Sequence, residues 1–185
     1  MKITVEQLEK ARACTEGIEW FKKQNCTDLK EVIQKAIETK DFNILKYANW
    51  GLTRFLSKKD KIRYAIFAAE QVLYLYEKKY PKDKRPREAI QAAKNYLEKP
   101  TLENKKAAAA YAAAAFAAGA AAYATAADAA DAAAFAAGAA AFTADAADAA
   151  ADAAFAATDA AFAATDAAGI KLLSKILEYG ITLIK

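Results

Sequence analysis

Two arginines on either side of a proline mark the place where this chain's residue types come closest to doing chemistry. They lie in Tyr80-Pro81-Lys82-Asp83-Lys84-Arg85-Pro86-Arg87-Glu88-Ala89-Ile90. Proline is tolerated in the first turn of a helix, because the N–H it lacks would have no intrahelical partner there. Pro86 therefore predicts a helix start, where free backbone N–H groups favour an anion. The guanidinium groups of Arg85 and Arg87 are suited to gripping a carboxylate or phosphate through two parallel hydrogen bonds. Upstream, Arg63 and Glu70 are seven residues apart and share one face of the preceding helix. The candidate binding site is thus Arg63, Glu70, Tyr80, Asp83, Arg85 and Arg87. The same residues also allow a structural outcome, in which Asp83 or Glu70 holds an arginine and gives the corner one shape. The two readings are compatible, since a pinned arginine is also a better-organised binder.

Other chemistries are narrowed by composition. The chain has no histidine, which removes serine triads, zinc hydrolase sites and histidine acid–base schemes. Carboxylate, lysine or tyrosine catalysis stays open in principle, but no pair is marked for it. Cys14 and Cys26 have no CxxC spacing and are too few for a metal site, so free, mostly buried thiols are expected. Neither a signal-peptide core nor an apolar run of membrane-spanning length is present. The expectation is a cytoplasmic, non-enzymatic protein with no catalytic residue, no metal and no cofactor.

The elements that must position the corner read as helices throughout. Over residues 1–106, Thr4-x-x-Gln7 forms a capping box ahead of Val5, Leu8, Ala11, Ile18 and Phe21. Thr27-Asp28 caps a second stripe, Leu29-Val32-Ile33-Ala36-Ile37. Asp41 caps a third helix that Gly51 weakens without ending. Ser57 opens a fourth that runs to Pro81, and a fifth extends from Pro86 to a stop before Pro100. Residues 107–185 differ in kind. Of the 63 positions from 107 to 169, 42 are Ala, the best helix former. Phe116-Ala-Ala-Gly119-Ala-Ala-Ala-Tyr123 returns at Phe135–Phe142, and in degenerate form at Phe155–Phe162, so the repeat is 19–20 residues.

Nearly all non-Ala residues of this tract fall on one seam, which leaves bare methyl faces for close helix packing. One straight helix from 102 to 168 would run about 100 Å without partners. Breaks near Thr125–Asp128 and Thr143–Asp148 are expected instead, giving an all-α, compact bundle of about seven to nine helices. Residues 1–106 and 107–185 are two regions expected to pack as one domain. The segment from Gly169 reads as a short amphipathic helix stopped by Gly180, and its apolar tail (Ile181, Leu183, Ile184) either docks on the core or forms a homodimer contact.

Charge is lopsided. Residues 107–169 hold seven Asp and no Lys, Arg or Glu, while the chain as a whole carries a net charge of +4. The two regions should attract each other, and the acidic one competes with any nucleic acid for the basic one. Lys58-Lys59-x-Lys61-x-Arg63 and Lys105-Lys106 read as solvated faces rather than a DNA patch. The aromatic seam reads as core before it reads as a base-stacking platform. The aspartates lack the turning loop of a calcium site.

The stretch Arg63-x-x-Ile66-x-Ala-Ala-Glu70, then Tyr80-Pro-x-Asp83-x-Arg85-Pro-Arg87-x-Ala89-Ile90, then an Ala-rich region resembles the Imm-5-like putative immunity proteins over roughly residues 42–165. Those small helical proteins occur in bacteria and their phages. Relatives tend to set Arg and His among the alanines, where this chain has Asp, Phe and Tyr. The resemblance implies an immunity-type or anti-defence inhibitor that sequesters or occludes a protein target, a toxin or defence effector. Two alternatives stand beside it: capture of a small anionic, nucleotide-like signal at the arginine corner, and a purely structural interaction module.

Overall fold

A computed structural model describes residues 1–123, 134–137, 139–140, 153, 156, 159 and 166–185. Nine helices have described bounds: α1 Val5–Lys10, α2 Thr15–Lys23, α3 Leu29–Thr39, α4 Phe42–Phe55, α5 Lys58–Glu70, α6 Leu73–Lys79, α7 Arg85–Glu98, α8 Leu102–Tyr123 and α9 Asp166–Leu183. No strand occurs among the described residues; one isolated bridge pairs Lys2 with Asp28. The protein is an all-α bundle, as its composition predicts. The expected 19–20-residue repeat and the breaks at Thr125–Asp128 and Thr143–Asp148 fall largely outside the described residues.

The helix starts follow from local side-chain chemistry. Thr4 Oγ1 accepts from the Gln7 N–H at 3.3 Å, and the Thr4 N–H donates to Gln7 Oε1 at 2.9 Å, closing a capping box. Asp28 Oδ1 accepts from the N–H groups of Lys30 and Glu31 at 3.0 and 3.2 Å. Asp41 does the same for Asn43 and Ile44 at 2.8 and 3.2 Å. Ser57 caps α5 through the Asp60 N–H at 3.2 Å. Each cap satisfies N–H groups that the helix itself leaves unpaired.

Three helix ends differ from the sequence expectation. The apolar period from Val5 to Phe21 spans two helices, because Arg12 adopts a left-handed φ of 63°. Its N–H donates to the Glu9 carbonyl and that of Ala13 to the Leu8 carbonyl, both at 2.9 Å, the six-residue helix stop usually built on glycine. Cys14 then caps α2, its Sγ accepting from the Gly17 N–H at 3.4 Å; this thiol is exposed and that of Cys26 half-buried, both free, rather than mostly buried. The helix expected from Ser57 to Pro81 breaks at Gln71–Val72 into α5 and α6. The turn places Val72 and Tyr76, each 1% exposed, in the core.

Gly180 is the third difference. It does not stop the last helix, which continues to Leu183. A Cβ at this position would overlap Leu52 and lie 2.8 Å from Tyr64 Cε2. Gly180 is there to let α9 approach α4 and α5 closely. Beneath that contact the Tyr64 hydroxyl donates to Asn49 Oδ1 at 2.7 Å, with both residues wholly buried. Leu45, Leu52, Leu173, Ile176 and Leu177 are also wholly buried, each contributing about 1.5–3 kcal/mol of apolar burial. The tail docks on this core, where Ile184 is 4% exposed.

One alanine face of α8 is buried (Ala108, Ala112, Ala115 and Ala118), while Ala110, Ala113 and Ala117 are exposed. α7 lies along α8, with Ala92, Ala93, Ala108 and Ala112 buried. The turn between them is fixed by Asn104, whose side-chain amide donates to the Lys99 carbonyl at 2.8 Å and whose N–H is capped by Thr101 at 3.2 Å. Farther along, the Phe116 and Phe135 rings meet at 5.6 Å. Phe116 packs against the core, while Phe135 stays 37% exposed.

Replacing Gly180 with Ala should destabilise the fold by about 1–3 kcal/mol through overpacking, read as a lower urea midpoint with an unchanged slope. An unchanged midpoint would mean that α9 does not press on Leu52 and Tyr64.

Candidate functional site: an arginine corner

The corner lies where α6 ends and α7 begins, and Asp83 organises it. The loop positions Asp83 by a hydrogen bond from its N–H to the Tyr80 carbonyl at 3.1 Å. From there Oδ1 accepts from the Arg85 backbone N–H at 3.0 Å. The Arg85 side chain donates through Nε to both carboxylate oxygens, at 3.0 and 3.1 Å, and through Nη2 to Oδ2 at 2.6 Å. The Tyr76 hydroxyl donates to Oδ2 at 2.7 Å. One carboxylate thus gathers a backbone amide, a guanidinium and a phenol. Pro86 is buried in the first turn of α7. The Tyr80 ring leans on that of Tyr76 at 5.0 Å.

Arg87 is held separately. Its Nε and Nη2 donate to the two oxygens of Glu77, both at 2.6 Å, the parallel fork that a guanidinium and a carboxylate make best. Arg87 remains 58% exposed and Glu77 22%, so this pair stands at the surface. Glu70 bonds Lys94 at 2.6 Å, tying α5 to α7. Arg63 turns instead to Asp60 at 2.8 Å, and Asp60 also accepts the Ser57 hydroxyl at 2.6 Å.

Of the six residues the sequence nominated, Tyr80, Asp83, Arg85 and Arg87 occupy the corner itself. Glu70 and Arg63 belong to neighbouring ion pairs. Their shared helix face did not make them partners, because Asp60 sits one turn from Arg63 and captures it. Sequence reasoning missed Tyr76 and Glu77. Tyr76 follows Leu73 at helical spacing among apolar residues, and its hydroxyl carries no signal of its own. Glu77 is ten residues from Arg87 across a non-helical turn, so no fixed spacing announces the pair.

The electrostatics follow from these contacts. The Arg85 guanidinium holds the Asp83 carboxyl well below the usual carboxylate range, outweighing its burial. Arg87 lowers Glu77 in the same way. Burial, reinforced by Asp83, pushes the Tyr76 phenol up to about 12. Burial would raise Asp60, but Ser57 and Arg63 together lower it. None of these shifts moves a group toward neutrality, where a general acid or base would have to titrate. The corner is a fixed charge pattern, suited to recognition.

A family model for the Imm-5 like putative immunity protein matches residues 52–178. The chain belongs to that family. The match opens within α4 and closes within α9, so the whole arginine corner lies inside the Imm-5 like segment, while α1, α2 and α3 lie before it. No curated protein and no solved structure matches the chain. Among the described residues no helix is long and apolar enough to cross a membrane.

The depressed carboxyls give the corner a pH signature. A carboxyl whose folded pKa lies below its unfolded value, 3.8 for Asp83, contributes stability that is full above that value and fades as pH falls toward the folded one. Asp83→Asn should therefore cost about 1–3 kcal/mol at neutral pH and much less near about pH 2. Urea midpoints at the two pH values measure this; an equal loss at both would show that the Asp83 charge contributes nothing.

Proposed function

We propose that this Imm-5 like chain is a cytoplasmic, non-enzymatic immunity or anti-defence protein. It occludes a protein target, a toxin or defence effector, using the surface around Arg87 and Arg85. The observation that carries the reading is the family match over the segment holding the complete corner. The geometry supports it. Arg87 is exposed yet pinned by Glu77, so its position is set before any partner arrives and less side-chain entropy is lost on contact. Pinned, partly exposed arginines are frequent anchors of protein interfaces.

Capture of a nucleotide-like anion at the same corner is less well supported. Arg85 is engaged with Asp83 and Arg87 with Glu77, so a phosphate would have to displace a carboxylate from one of them. A purely structural module would make the same ion pairs but have no partner.

Arg87→Ala should leave the melting temperature within about a degree or two, as for most surface pairs. It should also weaken a partner that copurifies at fixed ratio by about tenfold or more. Recovery of clean monomer from the native cell would remove the occlusion reading. A nucleotide that raises the melting temperature by several degrees would replace it with the small-anion one.

A further inference from the structure

Away from the corner, α1, α2, α3 and α4 line a half-open apolar cavity of about 320 Å³, within the range of small-ligand pockets, about 300–1,000 Å³. Trp20, Phe21, Tyr47 and Trp50 supply aromatic walls. Every lining residue precedes Leu52, where the family match begins. The cavity therefore lies outside the matched segment, and its reading does not rest on the immunity role.

Gly51 shows that the space is more than loose packing. A glycine inside a helix costs about 1 kcal/mol relative to alanine, and two needs commonly justify one: a positive φ or a close backbone approach. Gly51 meets neither. It sits within α4, and no glycine has positive φ among the described residues. A Cβ there would meet nothing within 4 Å, in contrast to the collision at Gly180. What Gly51 does is leave its side of the cavity open.

The charged lining has one sign. Arg12 and Lys46 contribute to it and no Asp or Glu does, although Glu16 and Asp41 act on the Tyr47 phenol from outside the lining. Lys46 is partly engaged, 5.2 Å from the Phe42 ring and within the field of Asp159. Arg12 forms no ion pair among the described residues, and its left-handed backbone at the end of α1 places it on the cavity. A cation beside an aromatic, otherwise apolar hollow selects a ligand with a ring and one negative charge.

We propose that this cavity binds a small aryl carboxylate, its ring among Trp20, Trp50 and Phe21 and its carboxylate on Arg12. Both of the chain's tryptophans line the cavity, so their fluorescence reports on it directly. The probes are 4-phenylbutyrate and its uncharged counterpart 4-phenylbutanol, titrated into the full chain. The acid should quench tryptophan emission and bind about tenfold or more tightly than the alcohol, as one charge-assisted hydrogen bond implies. Arg12→Gly, which relieves the left-handed strain, should keep or raise the melting temperature and erase that preference. Gly51→Leu should fill the cavity and abolish quenching by both probes, and Gly51→Ala should stabilise α4 and weaken them. Equal affinity of acid and alcohol in the wild type would overturn the carboxylate assignment. Absence of quenching at millimolar probe, or full quenching in a folded Gly51→Leu, would overturn the site.

Discussion

The fold depends on how closely α9 can approach α4 and α5. At Gly180 the helix backbone meets Leu52 and Tyr64 at a distance that excludes any side chain. Tyr64 is wholly buried and has one polar atom to satisfy, which it does through Asn49 on α4. An unpaired hydroxyl there would cost about 1–3 kcal/mol. The hydrogen bond therefore fixes α5 against α4, and the absent side chain at 180 sets α9 on both. α7 then packs on α5, with Glu70 and Lys94 joined across the gap. The arginine corner opens α7, so its position is inherited from this junction.

Much of this was legible in the sequence, and the reason is physical. Thr4, Asp28, Asp41 and Ser57 act through hydrogen bonds to amides two or three residues away, so their effect can be read locally. The differences came from residues whose role is set at long range. Gly180 reads as a terminator by propensity and becomes a contact point only because Leu52 and Tyr64 press on it. Arg12 takes the conformation usual for glycine, and nothing about its type announces a helix end. The Gln71–Val72 turn carries neither proline nor glycine. Arg63 and Glu70 shared a face as helical spacing required, yet each found a nearer partner.

The corner shows why residue types suggest a site more readily than they define its chemistry. Two arginines at a helix start are equally consistent with a vacant anion cradle and with a locked ion-pair cluster. The carboxylates decide between them. Asp83 is only two residues from Arg85, and Glu77 lies across the turn from Arg87. The surface pair of Arg87 and Glu77 adds about 0–1 kcal/mol to stability, too little to explain these forks as staples alone. Their larger consequence is conformational: each fork removes rotamer freedom from a long side chain before any partner binds.

α4 connects the two proposed binding places. With 100° between successive residues, Tyr47, Trp50 and Gly51 share one side of the helix and Leu45, Asn49 and Leu52 the opposite side. The first group lines the cavity and the second is wholly buried. Gly51 lies on the cavity face, where its cost to helix stability is not offset by tighter packing. Asn49 and Leu52, facing the core, leave no room for change. The two faces of one helix therefore answer to different demands: the core face to the fold, and the cavity face to the shape of the N-terminal cavity.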